Sequence, residues 1–156
     1  MASDEAASRL LSAEELRIGE EFRTSDYVFS PQSIRDFAAA WDPMWFHLDE
    51  ERAVAGPFGG IIASGLQSLA VLQRLLVLEV YSRWQVVVGR GFREVRFLQP
   101  VRPQDRTHAT LRVLGIDPRH PERSLVTARA ELVGARGALV SLVVEQYVRR
   151  SGVQAD

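Results

Sequence analysis

The sequence predicts an α+β domain in which a curved antiparallel sheet wraps one long helix. Nothing from Ile61 to about Val80 breaks a helix except Gly65 in its first turns, and apolar residues cover most of its faces. After Trp84 the apolar pattern changes to a period of two, which indicates four or five strands. We therefore expect the sheet to bury this helix on nearly every side.

The chain length and the distribution of apolar residues predict one domain. A chain of 156 residues can bury a hydrophobic core without the disulfides or metal ions that very small domains need. We expect a flexible leader at residues 1–15, one domain at residues 16–150 and a tail at residues 151–156. The leader lacks the basic and apolar regions of a secretion signal, and Ser68–Tyr81 is too short and too interrupted to span a membrane. A soluble cytoplasmic protein with no membrane segment is the prediction.

The composition excludes several kinds of chemistry. The formal charge of -1 gives no electrostatic reason to expect a nucleic-acid partner. Without cysteine, thiol nucleophiles, disulfides and thiolate metal sites are excluded. All 19 basic residues are arginine, so Schiff-base chemistry at lysine is excluded as well.

The first half of the chain presents an acidic residue at a helix end. Residues 20–30 have the pattern of a strand, and Ser30 and Pro31 are typical of a helix N-cap and first position. This helix ends before Pro43, because a proline disfavours helical geometry in the preceding residue. Asp42 is therefore presented into a loop.

The second half contains the remaining strands and turns. A short helix is expected after Asp49, followed by a glycine-rich turn. The prolines of residues 117–121 predict a loop, and residues 134–137 predict a hairpin turn. The predicted strands are Val86–Val88, Phe92–Leu98, Arg106–Ile116, Val126–Leu132 and Val140–Val148.

Two groups of residues are candidates for a catalytic site. Asp42 and His47, five residues apart on an apolar loop, could share the activation of one water molecule, or could merely cap the helix and fill the core. Gly60, Ser64 and Gly65 lie at the start of the long helix, where free N–H groups could hold an oxyanion on a thioester carbonyl. Taken without the Asp42–His47 pair, these glycines favour a role in tight packing of the turn on the sheet.

The remaining histidines and a group of arginines are weaker candidates for a functional site. His108 and His120 have no partner at metal-ligand spacing, so no metal site is predicted. Arg90, Arg93 and Arg96 could meet the phosphates of an acyl carrier, although such arginines more often form a solvated strand face.

Three segments resemble the MaoC-like dehydratase family, which includes the (R)-specific enoyl-CoA hydratases of the hotdog fold. They are FAAAWDPMWFHLDEERA, PFGGIIASGL and FREVRFLQPVRPQD, and the resemblance extends over residues 20–149. The family motif is approximately D-x-N-P-x-H, and its Asp and His form the catalytic pair. The resemblance therefore implies that Asp42 and His47 are catalytic.

This sequence departs from the family pattern at three places. Met44-Trp45 replaces Asn-Pro, and Ser64 stands where His is common. Some members carry a serine farther along the helix that supports the acid; in this sequence Ala70 falls near that position, with Ser68 two residues before it. We expect from these departures that Asp42 lacks this support and that Trp45 reshapes the acyl pocket.

The resemblance implies a lyase of acyl-CoA and fatty acid metabolism that hydrates a 2-enoyl thioester or dehydrates its product. The thioester of coenzyme A or of an acyl carrier would be the substrate, with no further cofactor, and the protein would be a homodimer with its site near the interface. Two alternatives remain open. One is a non-catalytic acyl-CoA-binding or partner subunit, and the other is a hotdog thioesterase, disfavoured because the long helix carries only Glu79 as an acid.

Overall fold

The computed structural model describes residues 9–152. Two single-turn 3-10 helices, Ala13–Glu15 and Tyr81–Arg83, accompany the main elements. These elements are, in chain order, β1 (Glu21–Val28), α1 (Pro31–Trp41), α2 (Trp45–Leu48), α3 (Glu50–Ala55), α4 (Gly65–Glu79), β2 (Val86–Phe97), β3 (Arg106–His120), β4 (Arg123–Gly134) and β5 (Gly137–Arg149).

The predicted sheet wrapped around a helix is confirmed. The five strands form one antiparallel sheet in the order β1-β3-β4-β5-β2. Leu72 and Leu76 of α4 belong to the same buried cluster as Leu111, Leu132 and Leu142 of the sheet. The hairpin predicted at residues 134–137 is present, with Gly134 paired to Gly137.

The long helix differs from its prediction at its start and in its burial. It begins at Gly65 rather than Ile61, because the backbone N–H groups of Ile62 and Ala63 donate to carbonyls of other segments, Phe46 (3.2 Å) and Val101 (2.8 Å). Nor is α4 buried on nearly every side: Leu66 and Leu78 are 52% and 54% exposed. One apolar face of the helix is therefore left uncovered by the chain's own sheet.

Two strands run through residues that were predicted to interrupt them. β2 runs through Gly89 and Gly91 without a break, with shifts of register beside both glycines. β3 continues through Pro118, where a loop was expected. That prediction was wrong because β1 pairs with β3 only as far as Arg112, and the β3–β4 pairing is irregular between Asp117 and His120. A proline is tolerated at such an edge or bulge, since no partner strand needs its missing N–H group.

The expected leader is too long at its C-terminal end. The N–H of Leu11 donates to the carbonyl of Arg83 at 2.8 Å, and Ala13 is completely buried. The leader prediction therefore fails for residues 11–15, while residues 1–8 lie outside the described part. Of the expected tail, Ser151 contacts the Ser12 hydroxyl at 2.8 Å, and residues 153–156 lie outside the described part.

Between residues 9 and 152, no helix combines the length and the apolar character needed to cross a bilayer.

Candidate active site

Asp42 is positioned by the end of α1. Ser30 caps the start of this helix by accepting a hydrogen bond from the Ser33 N–H at 3.0 Å, and Pro31 occupies its first turn. At the other end the Asp42 N–H donates to the Ala38 carbonyl at 2.9 Å, and the backbone then leaves helical geometry. The carboxylate is 28% exposed, so it can meet both protein and solvent.

His47 lies on α2, a single helical turn in a segment that was predicted as a loop. The turn closes through a hydrogen bond from the His47 N–H to the Met44 carbonyl at 3.0 Å. The imidazole is buried, and its Nδ1 lies 2.6 Å from the Ile62 carbonyl oxygen. Since a carbonyl can only accept, Nδ1 carries a hydrogen and Nε2 is the nitrogen left for chemistry. Nε2 lies 3.3 Å from Asp42 Oδ2.

Ser64 completes this arrangement from the N-cap of α4. Its hydroxyl donates to Asp42 Oδ2 at 2.6 Å, and its oxygen accepts from the Leu66 N–H at 3.1 Å. The expectation that Asp42 lacks a supporting serine was therefore wrong. Ala70 supplies no hydroxyl, but Ser64, six residues earlier, bonds the carboxylate directly.

The Asp–His pair lies in the wall of a cavity of about 530 Å³. Most of the remaining wall is apolar and comes from separate segments of the chain: Met44, Phe46, Phe58, Ile62, Ala63, Leu66, Phe97, Leu98, Pro100, Val101 and Val140. Polar side chains are few in this wall, with Ser68 and Gln99 besides the pair. Such a cavity suits a largely apolar ligand with one polar reacting group.

The two residues that replace the family's Asn-Pro have different positions. Met44 lines the cavity, whereas Trp45 packs against Arg52, whose guanidinium carbon lies 5.0 Å from the centroid of the Trp45 ring. Trp45 also packs so closely on Gly56 that a Cβ there would come within 2.7 Å of the indole. Trp45 therefore does not line the cavity itself, and Met44 forms that part of the wall.

The predicted oxyanion residues do not all reach the site. Gly65 lines the cavity at the first position of α4, where helix geometry supplies no partner for its N–H. Gly60 instead borders a separate depression with Ile61 and Arg102. The structure therefore brings Asp42, His47, Ser64 and Gly65 together and places Gly60 elsewhere.

The other polar candidates lie outside this cavity. Burial, and to a lesser extent the charge of Arg23, lowers the pKa of His108. The Arg90 and Arg93 side chains both bond the largely buried Glu145 carboxylate, at 3.1 and 2.9 Å. Across residues 9–152, no three His, Asp or Glu side chains are grouped as a metal site would require.

Sequence reasoning missed the apolar wall of the cavity. Phe58, Leu98 and Val140 come from a turn, a strand end and β5, and nothing in their local patterns separates a cavity residue from a core residue. Only the fold shows that they share one cavity.

Comparisons with known proteins show similarity to one family. The family model described as "MaoC like domain" matches residues 13–135. The 3-hydroxyacyl-thioester dehydratase Z of Mycobacterium tuberculosis is 34% identical over 136 residues, which cover 83% of this chain and 90% of that protein. The uncharacterized protein YdeM of Bacillus subtilis is 34% identical over 117 residues, 75% of this chain and 83% of YdeM.

A solved structure is similar over almost its whole length. The MaoC-like dehydratase from Rhodospirillum rubrum has a TM-score of 0.85 at 34% identity, with 92% of this chain and 99% of that chain covered. The five-stranded sheet around a long helix, shared with this structure, thus defines a hotdog-fold protein. The chain belongs to the MaoC-like dehydratase family.

Proposed function

We propose that this protein adds water to a 2-enoyl thioester, or removes it from the 3-hydroxyacyl product, with acyl-CoA as the form of the substrate. The observation that carries the proposal is the contact of 3.3 Å between His47 Nε2 and Asp42 Oδ2 in the wall of an apolar cavity. The name of the Mycobacterium tuberculosis relative, a 3-hydroxyacyl-thioester dehydratase, supports the substrate class.

The pair can move both protons of the reaction. A water molecule bound beside Asp42 and His47 loses a proton to one of them as its oxygen bonds the β-carbon of the enoyl group. The other residue delivers a proton to the α-carbon, so that water is added across the double bond and the pair keeps its total number of protons. The same steps in reverse expel water.

The start of α4 can stabilise the charge that develops on the thioester oxygen. Gly65, which borders the cavity, is the first residue of a helix of 15 residues, so its N–H lies at the positive end of that helix. A donor placed before the reaction begins stabilises an enolate without reorganisation, which is typically worth about 10²- to 10³-fold in rate.

We also propose that the protein is a homodimer. Every residue of β2 after Val86 is exposed, and β2 is the last strand of the sheet, so its outer edge can pair with another strand. Apolar side chains on this strand and on the uncovered face of α4 would be buried by a second copy: Val87, Val88, Phe92, Val95, Phe97, Leu66, Val77 and Leu78. Phe97 and Leu66 also line the cavity, which supports a site beside this proposed interface. Acyl-CoA as substrate fits the cytoplasmic location predicted from the sequence.

The thioesterase alternative has little support. The acid that it requires on the long helix would be Glu79, but this carboxylate accepts hydrogen bonds from the Ser25 N–H (2.7 Å) and the Ser25 hydroxyl. These two bonds, the hydroxyl first, hold the pKa of Glu79 below its ordinary value. Glu79 therefore serves as an anchor between α4 and β1.

The experiment is the hydration of crotonyl-CoA and of a longer 2-enoyl-CoA, followed as the loss of enoyl-thioester absorbance. Wild type is compared with Asp42→Asn and His47→Gln, and the matched controls are Asp36→Asn and His120→Gln, an exposed aspartate of α1 and an exposed histidine. We expect the site variants to lose about a hundredfold or more in kcat/KM with folding intact, since each removes a proton-transfer group.

The controls should keep wild-type activity. Turnover that is indifferent to both site substitutions would overturn the two-residue mechanism. A wild-type protein that binds acyl-CoA but turns over no chain length would establish the non-catalytic alternative instead.

A further inference from the structure

We infer that Ser64 is a positioning residue for the reaction, which acts by holding the Asp42 carboxylate toward His47. The inference rests on the proposed function, and it differs from the oxyanion role that the sequence suggested for this serine. The Ser64 hydroxyl is 2.6 Å from Asp42 Oδ2, the same oxygen that faces His47 Nε2 at 3.3 Å.

The direction of the Ser64 hydroxyl is set by its second contact. Its oxygen accepts the N–H of Leu66 at 3.1 Å, a bond in which the backbone can only donate. The single hydroxyl hydrogen is therefore free to point toward Asp42, and the carboxylate oxygen accepts it. Ser64 thus accepts a hydrogen bond from the first turn of α4 and donates one to the Asp42 carboxylate.

The backbone around Ser64 is held on both sides. The N–H of Ala63 donates to the Val101 carbonyl at 2.8 Å, and the Ser68 hydroxyl donates to the Ser64 carbonyl at 3.2 Å. Ser64 itself has no exposed surface. A rigid, fully buried donor is suited to fixing the rotamer of a neighbouring side chain and unsuited to touching the substrate.

Asp42 needs such a constraint because of its place in the chain. It follows the last residue of α1, its backbone is outside helical geometry, and its side chain is partly exposed. Without the serine, the carboxylate could rotate toward solvent and lose its contact with His47. A misplacement of about 1 Å in a reacting group can cost about a hundredfold in rate.

The kinetic test compares Ser64→Ala, Ser64→Thr and Ser30→Ala. Ser30→Ala is the matched control, because it also removes a serine N-cap, that of α1, without touching Asp42. We expect Ser64→Ala to lower kcat about tenfold to a hundredfold with KM changed by less than about threefold, since only the positioning of Asp42 is lost. Ser64→Thr, which keeps the hydroxyl, should recover most of kcat, and Ser30→Ala should stay near wild type.

Folding is checked for each variant by circular dichroism and thermal unfolding. If the extra methyl group prevents Ser64→Thr from folding, Ser64→Cys takes its place and should give an intermediate kcat, since a thiol is a weak donor. A raised KM with unchanged kcat in Ser64→Ala would overturn the inference and restore a substrate-binding role. Equal losses in Ser64→Ala and Ser30→Ala would reduce Ser64 to a helix cap.

A second readout does not depend on turnover. The chain has three histidines, so the imidazole nitrogens can be followed by ¹⁵N NMR. We expect Ser64→Ala to move the His47 signals in the same direction as Asp42→Asn, and Ser30→Ala to leave them in place. His47 signals that stay at wild-type positions in Ser64→Ala would overturn the inference. A wild type without any turnover would instead overturn the proposed function, while the NMR comparison still decides whether Ser64 positions Asp42.

Discussion

The contact between Gly65 and Phe97 at the edge of the cavity gives a sharp prediction. A Cβ added to Gly65 would lie 2.9 Å from two carbons of the Phe97 ring and 3.0 Å from a third. Carbon atoms normally pack at about 3.5–4.0 Å, so the ring would have to move by roughly 0.5–1 Å. Gly65→Ala therefore tests whether α4 starts where the structure places it.

The expected free-energy change is the balance of two effects. Overpacking typically costs about 1–3 kcal/mol, and the lower end applies because the Phe97 ring has to move by only roughly 0.5–1 Å. Replacing glycine by alanine without backbone strain stabilises by about 0.4–1 kcal/mol. We expect Gly65→Ala to destabilise the protein by about 0.5 kcal/mol. In a Phe97→Ala background, the same change should stabilise it by about 0.4–1 kcal/mol.

The assay is urea unfolding of the four proteins of this double-mutant cycle at one fixed protein concentration. A coupling free energy of about 1 kcal/mol between the two positions is expected, as for residues in direct contact. Gly115→Ala is the matched control, since a Cβ at Gly115 would have no neighbour within 4 Å and its effect should not depend on Phe97. Equal effects of Gly65→Ala in both backgrounds would refute the packing argument.

Two further predictions concern the termini and the proposed dimer. The Arg150 side chain, bonded at 2.8 Å, is the main cause that lowers the pKa of Glu14 from 4.5 to about 2. A carboxyl group whose pKa is lower in the folded state stabilises the fold at pH values above its unfolded pKa. This stabilisation is lost as the pH falls through the folded pKa. Glu14→Gln should thus lower the free energy of unfolding by at most about 1 kcal/mol at pH 7, because the ion pair is exposed, and this loss should disappear near pH 2. The control Glu122→Gln should lower the free energy of unfolding at neither pH. A loss in Glu14→Gln that persists at pH 2 would contradict the prediction. Phe92→Glu on the edge strand β2 should reduce the mass measured by light scattering from twice 17.5 kDa to 17.5 kDa. The control Leu114→Glu, an exposed position on β3, should leave the mass unchanged. A Phe92→Glu variant that remains a dimer would show that the interface lies elsewhere.

The sequence by itself determined the elements whose causes are local. Ser30 and Pro31 start α1, Asp49 caps α3 through the Arg52 N–H, and the period of two after Trp84 produces the strands. Each signal acts within a few residues, through a cap, a fixed φ angle or the alternation of side chains. The motif spacing also selected Asp42 and His47, because both lie within one short segment.

The tertiary structure decided what depends on distant segments. The start of α4 and the tautomer of His47 both follow from the path of residues 61–64. The Ile62 carbonyl there accepts a hydrogen bond from His47, 15 positions earlier in the chain. Ser64 reaches Asp42 across 22 positions, and Pro118 stays in a strand only because β1 ends before it. Hydrogen bonds of this kind form when the fold brings two segments together, so no local pattern in either segment predicts them.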